Sequence, residues 1–181
     1  KNYEHIVIDG KSTDETFKIL KKYKKKIKII SKKDVNLWQA INRGINKSKG
    51  DIIGVLNSKD ILYPKALENV NNYFNKFNID YLFGAVKKKK IFYKFEPEKI
   101  NYRLNIYPSH SCSFFIKRKA QKEIGLYKIK YDYCSDYDLF YRLFNNKKLR
   151  GINSKKNEVF GKFDLNGISS KIPFYKFYFT E

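Results

Sequence analysis

The stretch DIIGVLNSKDIL, residues 51–62, changes abruptly from apolar to polar. Residues 52–56 are mostly apolar, and the polar cluster NSKD follows directly at residues 57–60. A short apolar run that ends in polar residues predicts a buried strand that reaches the edge of a sheet. Because ligands of open α/β sheets bind outside the carboxyl ends of the strands, we expect a binding site at residues 57–60.

Strands and helices alternate on both sides of this stretch. The predicted strands lie at residues 5–9 and 26–30, and the predicted helices lie at residues 36–48 and from residue 64 onward. Ser12 and Glu15 have the spacing of a capping box, which predicts a further helix that opens there and ends near Tyr23. This alternation predicts an α/β fold with a mostly parallel central sheet and helices on both faces.

The second half of the chain has shorter predicted elements. Two extended segments flank the lysine run at residues 87–90, which we interpret as a solvated hairpin turn. Beyond it, the pattern predicts strands at residues 111–118 and 158–165 and helices at residues 118–125 and 135–144. No linker or internal repeat interrupts the pattern, so residues 1–181 are expected to form a single domain.

Composition limits the class of protein. Of the 181 residues, 42% are hydrophobic, which suits one domain with a sizeable core. The two cysteines, Cys112 and Cys134, are too few for a disulfide framework or a zinc site. No apolar run approaches the roughly 20 residues of a membrane span, and nothing resembles a signal peptide. A cytoplasmic, reducing location is therefore expected.

The net charge of +21 favours partners that carry phosphate, such as nucleic acid, nucleotides or an anionic membrane surface. A biased codon composition explains the many lysine and asparagine residues equally well. The tail SKIPFYKFYF, residues 170–179, alternates lysine with aromatic residues, as segments at a membrane interface do. Peripheral membrane contact and packing of this tail on the domain are both open interpretations.

Six motifs, taken together, resemble one family of enzymes. They are IVIDGKSTDET (6–16), DVNLWQAINRGI (34–45), GDIIGVLNSKD (50–60), PSHSCSFFIKR (108–118), GLYKIKYDYCSDYDLFYRL (125–143) and FDLNGISS (163–170). In this order and spacing they resemble the family 2 glycosyltransferases, and most closely the branch that builds bacterial surface polysaccharides. The likeness covers residues 3–170, nearly the whole chain.

This resemblance implies a GT-A fold and an inverting transfer of a sugar from a nucleotide-diphospho-sugar donor to a saccharide or lipid-linked acceptor. It also implies a divalent metal, Mg or Mn, at the motif of residues 57–60, where Asp60 is the expected ligand. It matches Asp136 to the catalytic base and places His110 in the segment that borders the acceptor. The residues it assigns to the nucleotide sugar are Asp9, Ser12, Asn42, Arg43, Asn57 and Lys59.

The chemistry of sugar transfer requires residues of these types. One carboxylate must take a proton from the acceptor hydroxyl, and positive charge must stabilise the leaving diphosphate. Asp136 is the candidate base, and Asp138 is expected to be structural. Each acid also has a structural explanation, since Asp9 suits a turn and Asp136 suits a helix start. Glycoside hydrolysis needs two flanking carboxyls at a defined separation, so it stays open at this point.

Lys59 departs from the family pattern, which normally has a metal-ligating aspartate at this place. An ammonium group does not ligate a cation and is repelled by one. Three outcomes are open: Asp60 keeps a weakened metal site, Lys59 itself neutralises the diphosphate, or the site is inactive. We expect the first.

The beginning of the sequence is a second departure. The family has a strand and a helix upstream of Tyr3, and that strand lies between HIVID and DIIGVL in the sheet. We therefore expect an N-terminally truncated domain.

Two other functions compete with transfer: a catalytically inactive relative that binds sugar nucleotides, and a basic nucleic-acid-binding domain. The aromatic residues sit mostly at core-like positions, which argues against the nucleic-acid partner.

Overall fold

Short strands and helices alternate along the chain in the structure, a computed structural model that describes residues 3–103 and 105–166. The strands are β1 (Ile6–Asp9), β2 (Lys28–Ser31), β3 (Ile52–Gly54), β4 (Ile61–Leu62), β5 (Tyr81–Phe83), β6 (Ala85–Lys87), β7 (Ile91–Phe92), β8 (Phe114–Lys117), β9 (Gly151–Asn153) and β10 (Val159–Lys162). The helices are α1 (Thr16–Lys22), α2 (Leu37–Lys47), α3 (Ala66–Lys76), α4 (Arg118–Ile124) and α5 (Ser135–Asn145). The predicted α/β class is confirmed.

The strands form three sheets with mixed directions. β1 pairs with β2 in parallel, the second sheet has the order β3-β8-β5-β9, and the third has the order β4-β10-β6-β7. β8 runs antiparallel to both of its neighbours, β3 and β5. The expected mostly parallel sheet is thus corrected to a mixed one. An apolar run such as residues 111–118 predicts a buried strand but carries no information on its direction.

Both faces of the second sheet are covered, because its strands carry apolar side chains on both sides. On one face, Phe83 and Phe114 lie with ring centroids 5.0 Å apart and pack against Phe140 of α5. On the other face, Leu82 and Phe115 belong to the cluster that includes Val70 of α3. Such two-sided burial is typical of sheets between helical layers. Helices on both faces, as predicted, hold the strand ends in place.

Helix α1 begins at Thr16, four residues after Ser12, and its start differs from the prediction. The Ser12 hydroxyl donates to Asp9 Oδ1 at 2.5 Å and does not cap the helix. Asp14 Oδ1 instead accepts from the Thr16 backbone N–H at 3.0 Å. The capping-box prediction for Ser12 and Glu15 is therefore wrong. The Ser12 backbone N–H also donates to Asp9 Oδ1, at 3.2 Å, so Ser12 belongs to the turn after β1 and not to the helix start.

A gap separates β1 from β3. β1 is paired through its β2 edge and β3 through its β8 edge, so each has one edge without a described strand partner. An open cavity of about 2590 Å³ extends between them and is lined by Ile6, Ile8 and Ile52. The sequence analysis placed an additional strand here, and this strand, with the truncated single domain, stays a prediction.

The structure also bears on the expected membrane contact. Within residues 3–103 and 105–166, no helix is long and apolar enough to cross a bilayer. The lysine-aromatic tail at residues 170–179 lies outside the described residues. Its interfacial role stays a prediction.

Candidate active site

The open cavity between β1 and β3 also reaches the ends of the strands, where five of the predicted site residues line it. They are Asn57, Lys59, Asp60, His110 and Asp136. The other four, Asp9, Ser12, Asn42 and Arg43, are not among the described residues that line it. The cavity therefore joins the expected diphosphate loop to the expected base.

The loop after β3 presents Asp60 inward and Lys59 outward. Asp60 N–H donates to the Asn57 carbonyl at 3.0 Å, which closes a tight turn over residues 57–60. Asp60 is buried, with 8% of its surface exposed, whereas Lys59 is exposed. In a continued strand, neighbouring side chains alternate, and Lys59 would point inward and Asp60 outward. The turn gives the opposite arrangement.

The Asp60 carboxylate has one oxygen engaged and one oxygen free for a ligand. Its Oδ1 accepts from the Asp164 backbone N–H at 2.7 Å. Its Oδ2 is buried and has no hydrogen-bond partner among the described residues. A buried carboxylate oxygen without a partner is costly. A cation bound at this oxygen would remove that cost.

A metal at Asp60 would need ligands from the substrate. Among residues 3–103 and 105–166, no group of three His, Cys, Asp or Glu side chains is arranged to hold a metal ion. Mg²⁺ in proteins is often held by one or two carboxylates together with phosphate oxygens. The free Asp60 Oδ2 fits that mode of binding. The phosphate oxygens of the donor diphosphate would supply further ligands to the metal.

Asp136 lies in the first turn of α5, where the helix dipole favours a negative charge. Its Oδ2 is 3.3 Å from His110 Nδ1. The other ring nitrogen, His110 Nε2, is 3.4 Å from the Asn57 amide nitrogen. Asn57 Nδ2 is a donor, and in the neutral ring whose Nε2 accepts from it, Nδ1 carries the proton that points to Asp136. Asn57, His110 and Asp136 therefore form a continuous polar chain across the cavity.

Asp138 has a different role from Asp136. Its Oδ1 is 2.7 Å from Lys128 Nζ, and its Oδ2 accepts from Arg142 at 2.7 and 2.9 Å. Arg142 also donates to the carbonyls of Ile124 and Leu126. Asp138 thus orders the connection between α4 and α5, as expected for a structural acid.

Asp9 ends β1 with both carboxylate oxygens occupied. Oδ1 accepts from the Ser12 hydroxyl and Oδ2 accepts from the Ser31 hydroxyl, each at 2.5 Å. These hydrogen bonds lower the pKa of Asp9 below its ordinary value despite its burial. The carboxylate is therefore ionised at neutral pH and joins β1 to β2. Nucleotide contacts by Asp9 and Ser12 stay predictions.

Asn42 and Arg43 of α2 are engaged within the protein. The Asn42 side chain exchanges two hydrogen bonds with the backbone of Tyr127, at 2.7 and 3.0 Å. Arg43 makes a two-pronged ion pair with Asp34, at 2.5 and 3.0 Å. Both contacts fix α2 beside the cavity. Their direct contact with a nucleotide also stays a prediction.

Sequence reasoning missed two residues of the cavity wall. Trp38 is buried, stacks on Tyr127 with ring centroids 5.4 Å apart, and lies 5.9 Å from the His110 ring. As the single tryptophan of the chain, it could have been singled out. Lys88 also lines the cavity. Its place in a run of four lysines gave no signal that distinguishes it from its neighbours.

Comparison with known families agrees with this architecture. The sequence model described as glycosyl transferase family 2 matches residues 1–152. This match covers most of the chain, so the protein belongs to glycosyl transferase family 2.

Two bacterial proteins are among the relatives of this chain. An uncharacterized glycosyltransferase of Rickettsia prowazekii is 29% identical over 161 residues, which is 80% of this chain and 50% of the relative. The poly(ribitol-phosphate) beta-N-acetylglucosaminyltransferase TarP of Staphylococcus aureus is 37% identical over 87 residues, or 46% of this chain and 27% of TarP. The chain spans about half the length of the Rickettsia relative.

Two solved structures share the fold at low sequence identity. S. aureus TarS 1-349 in complex with UDP-GlcNAc has a TM-score of 0.69 at 13% identity, covering 94% of this chain and 52% of that structure. A mannosyltransferase from Pyrobaculum calidifontis in complex with GDP-Man and Mn2+ has a TM-score of 0.66 at 13% identity, covering 92% and 49%. The chain therefore has the GT-A fold that the resemblance implied.

Proposed function

We propose that this protein is an inverting glycosyltransferase that moves a sugar from a nucleotide-diphospho-sugar to a saccharide or lipid-linked acceptor. The observation that carries the proposal is the shared cavity of Asp60 and Asp136. One acid offers a free buried oxygen beside the diphosphate loop, and the other stands at a helix start across the cavity. Asn57 and His110 connect the two ends.

The donor is assigned to the end of the cavity at residues 57–60. Structural neighbours of this chain bind UDP-GlcNAc and GDP-Man, which supports a nucleotide-diphospho-sugar without fixing the base or the sugar. A divalent ion held by Asp60 and the donor phosphates would supply positive charge to the leaving diphosphate. The Mn2+ in the mannosyltransferase structure supports this choice of cofactor.

Asp136 is assigned the proton transfer. Its carboxylate accepts the proton of the acceptor hydroxyl as that oxygen forms a bond to the anomeric carbon. The bond from the anomeric carbon to the diphosphate oxygen breaks, and its electron pair leaves with the diphosphate. The configuration inverts because attack and departure occur on opposite sides of the carbon. His110 keeps the Asp136 carboxylate in place through its Nδ1–H.

The acceptor class and the location are the most general parts of this proposal. TarP acts on poly(ribitol-phosphate) by its name, which supports a role in the synthesis of surface polysaccharides. We therefore place the reaction in the cytoplasm, at or near the inner face of the membrane where such polymers are built.

Binding measurements separate this proposal from the nucleic-acid alternative, which is motivated by the charge of +21. We expect calorimetric titration with UDP, GDP and dTDP to give saturable binding of at least one nucleotide. That binding should persist at high salt, since it depends on few charges. RNA binding through many lysines would instead weaken steeply with salt. Salt-sensitive binding of a single-stranded RNA, with no nucleoside diphosphate bound, would refute the proposed function.

A further inference from the structure

Lys88 occupies the turn between β6 and β7 and is held in a fixed position. Its backbone N–H donates to the Lys90 carbonyl at 3.0 Å, and the preceding Lys87 carbonyl accepts from Phe163 N–H at 2.9 Å. Its ammonium lies 4.8 Å from the ring centroid of Phe92 and 5.0 Å from that of Phe163. The side chain is therefore clamped between two aromatic faces, which attract a cation.

The strand register places Lys88 at the same end of the third sheet as Asp60. Lys162 of β10 is paired with Ile61 of antiparallel β4 and with Lys87 of parallel β6. One step further along β10, Phe163 therefore stands between Asp60 and Lys88. With strands about 4.8 Å apart, the two outer backbones are separated by roughly 10 Å. Side chains in one such row share a face of the sheet.

Charge and burial indicate that this ammonium lacks an anion. Lys88 is absent from the ion pairs of the described residues, and burial lowers its pKa from the ordinary value. Two groups act in the opposite direction, Cys112 and Asp60. Burial raises the pKa of the Cys112 thiol to about 12, so the thiol is neutral at physiological pH. Asp60 is then the negative charge that Lys88 faces across the cavity.

We propose that Lys88 is a fixed cation of this site that binds the donor diphosphate beside Asp60. The proposal rests on the proposed function. A diphosphate between Asp60 and Lys88 would be the anion that pairs with the Lys88 ammonium. Lys88 and a metal at Asp60 would then neutralise the diphosphate from opposite sides. A lysine acts here as a point charge. Lys59, which is exposed, is not needed for this task.

Substitution of Lys88 tests the proposal by nucleotide binding. The Lys88→Met variant keeps an apolar stem between Phe92 and Phe163 and removes the charge. We expect it to bind UDP, GDP or dTDP, whichever the wild type binds, roughly 10- to 100-fold more weakly, the usual range for a lost charged hydrogen bond. If Lys88 contacts the second phosphate of the diphosphate, binding of the matching nucleoside monophosphate should change by less than about threefold.

Two control variants separate charge at this position from charge in general. Lys88→Arg keeps a cation and should retain most of the binding, whereas Lys89→Met removes an exposed lysine of the same turn and should bind as the wild type does. Thermal unfolding of Lys88→Met should occur near the wild-type temperature, because the loss of a partly buried charge offsets the loss of its contacts with the two aromatic rings. Equal diphosphate binding by the wild type and Lys88→Met would overturn this inference alone. Failure of the wild type to bind any of the three nucleotides would overturn it together with the proposed function.

Discussion

Asp136→Asn is expected to lower the rate of sugar transfer by roughly 100- to 10,000-fold, the contribution of a positioned general base. An amide does not take the acceptor proton, yet it has nearly the same size and stays at the start of α5. Because the proposed role of Asp136 is at the acceptor hydroxyl and not at the nucleotide, donor binding should change by only a few fold. Steady-state transfer and calorimetric donor binding, measured side by side, check both statements. Near-normal turnover in the variant would refute the assignment.

Asp138→Asn is the matched control for this experiment. It makes the same chemical change two residues later, where the carboxylate pairs with Lys128 and Arg142. We expect lower stability in thermal unfolding, by about 1–3 kcal/mol for a partly buried charged contact, with turnover per folded molecule close to that of the wild type. A larger loss of turnover in Asp138→Asn than in Asp136→Asn would reverse the two assignments.

Removal of the divalent ion is the second change with a large expected effect. We expect EDTA to abolish transfer by the wild type and added Mn²⁺ or Mg²⁺ to restore it. A metal at Asp60 would stabilise the negative charge of the leaving diphosphate. Asp60→Asn should lose transfer at every metal concentration tested. Lys59→Asp should stay sensitive to EDTA and need about fivefold less metal, because an exposed charge contributes about 1 kcal/mol or less.

Two results would contradict the metal site at Asp60. Wild-type transfer that is indifferent to EDTA and lost in Lys59→Ala would assign the diphosphate charge to Lys59. Strong EDTA-sensitive transfer in Lys59→Asp, with none in the wild type, would show that the native site has decayed. Mn²⁺ binding to wild type and to Asp60→Asn, followed by calorimetry in the presence of nucleoside diphosphate, provides a readout that is independent of turnover.

Local sequence patterns predicted the element types well because each pattern reports on its own segment. The apolar run before residue 57 does end in a polar turn at the cavity, and the helix predicted at residues 36–48 is found as α2 at Leu37–Lys47. The predicted start of α1 was wrong because Ser12 is held in a turn with Asp9, to which both its backbone N–H and its hydroxyl donate, and the helix begins only at Thr16. Capping depends on competing partners as well as on spacing.

Contacts across long stretches of sequence could not be predicted in the same way. The direction of β8 depends on the path of the chain between distant strands. The contact between His110 and Asp136 arises only from the tertiary structure. The same holds for the strand pairing that places Phe163 between Asp60 and Lys88. The inward orientation of Asp60 was not predicted either, because the two-residue period of a strand places Lys59 inward and Asp60 outward.

Release of nucleoside diphosphate from a panel of nucleotide sugars is the most direct test of the central claim. The full-length protein and its Asp136→Asn variant would each be incubated with UDP-, GDP- and dTDP-linked sugars in the presence of Mn²⁺. We expect the wild type to consume at least one donor and the variant to do so at least roughly 100-fold more slowly. A wild-type protein that binds donors and consumes none, or a variant as fast as the wild type, would contradict the central claim.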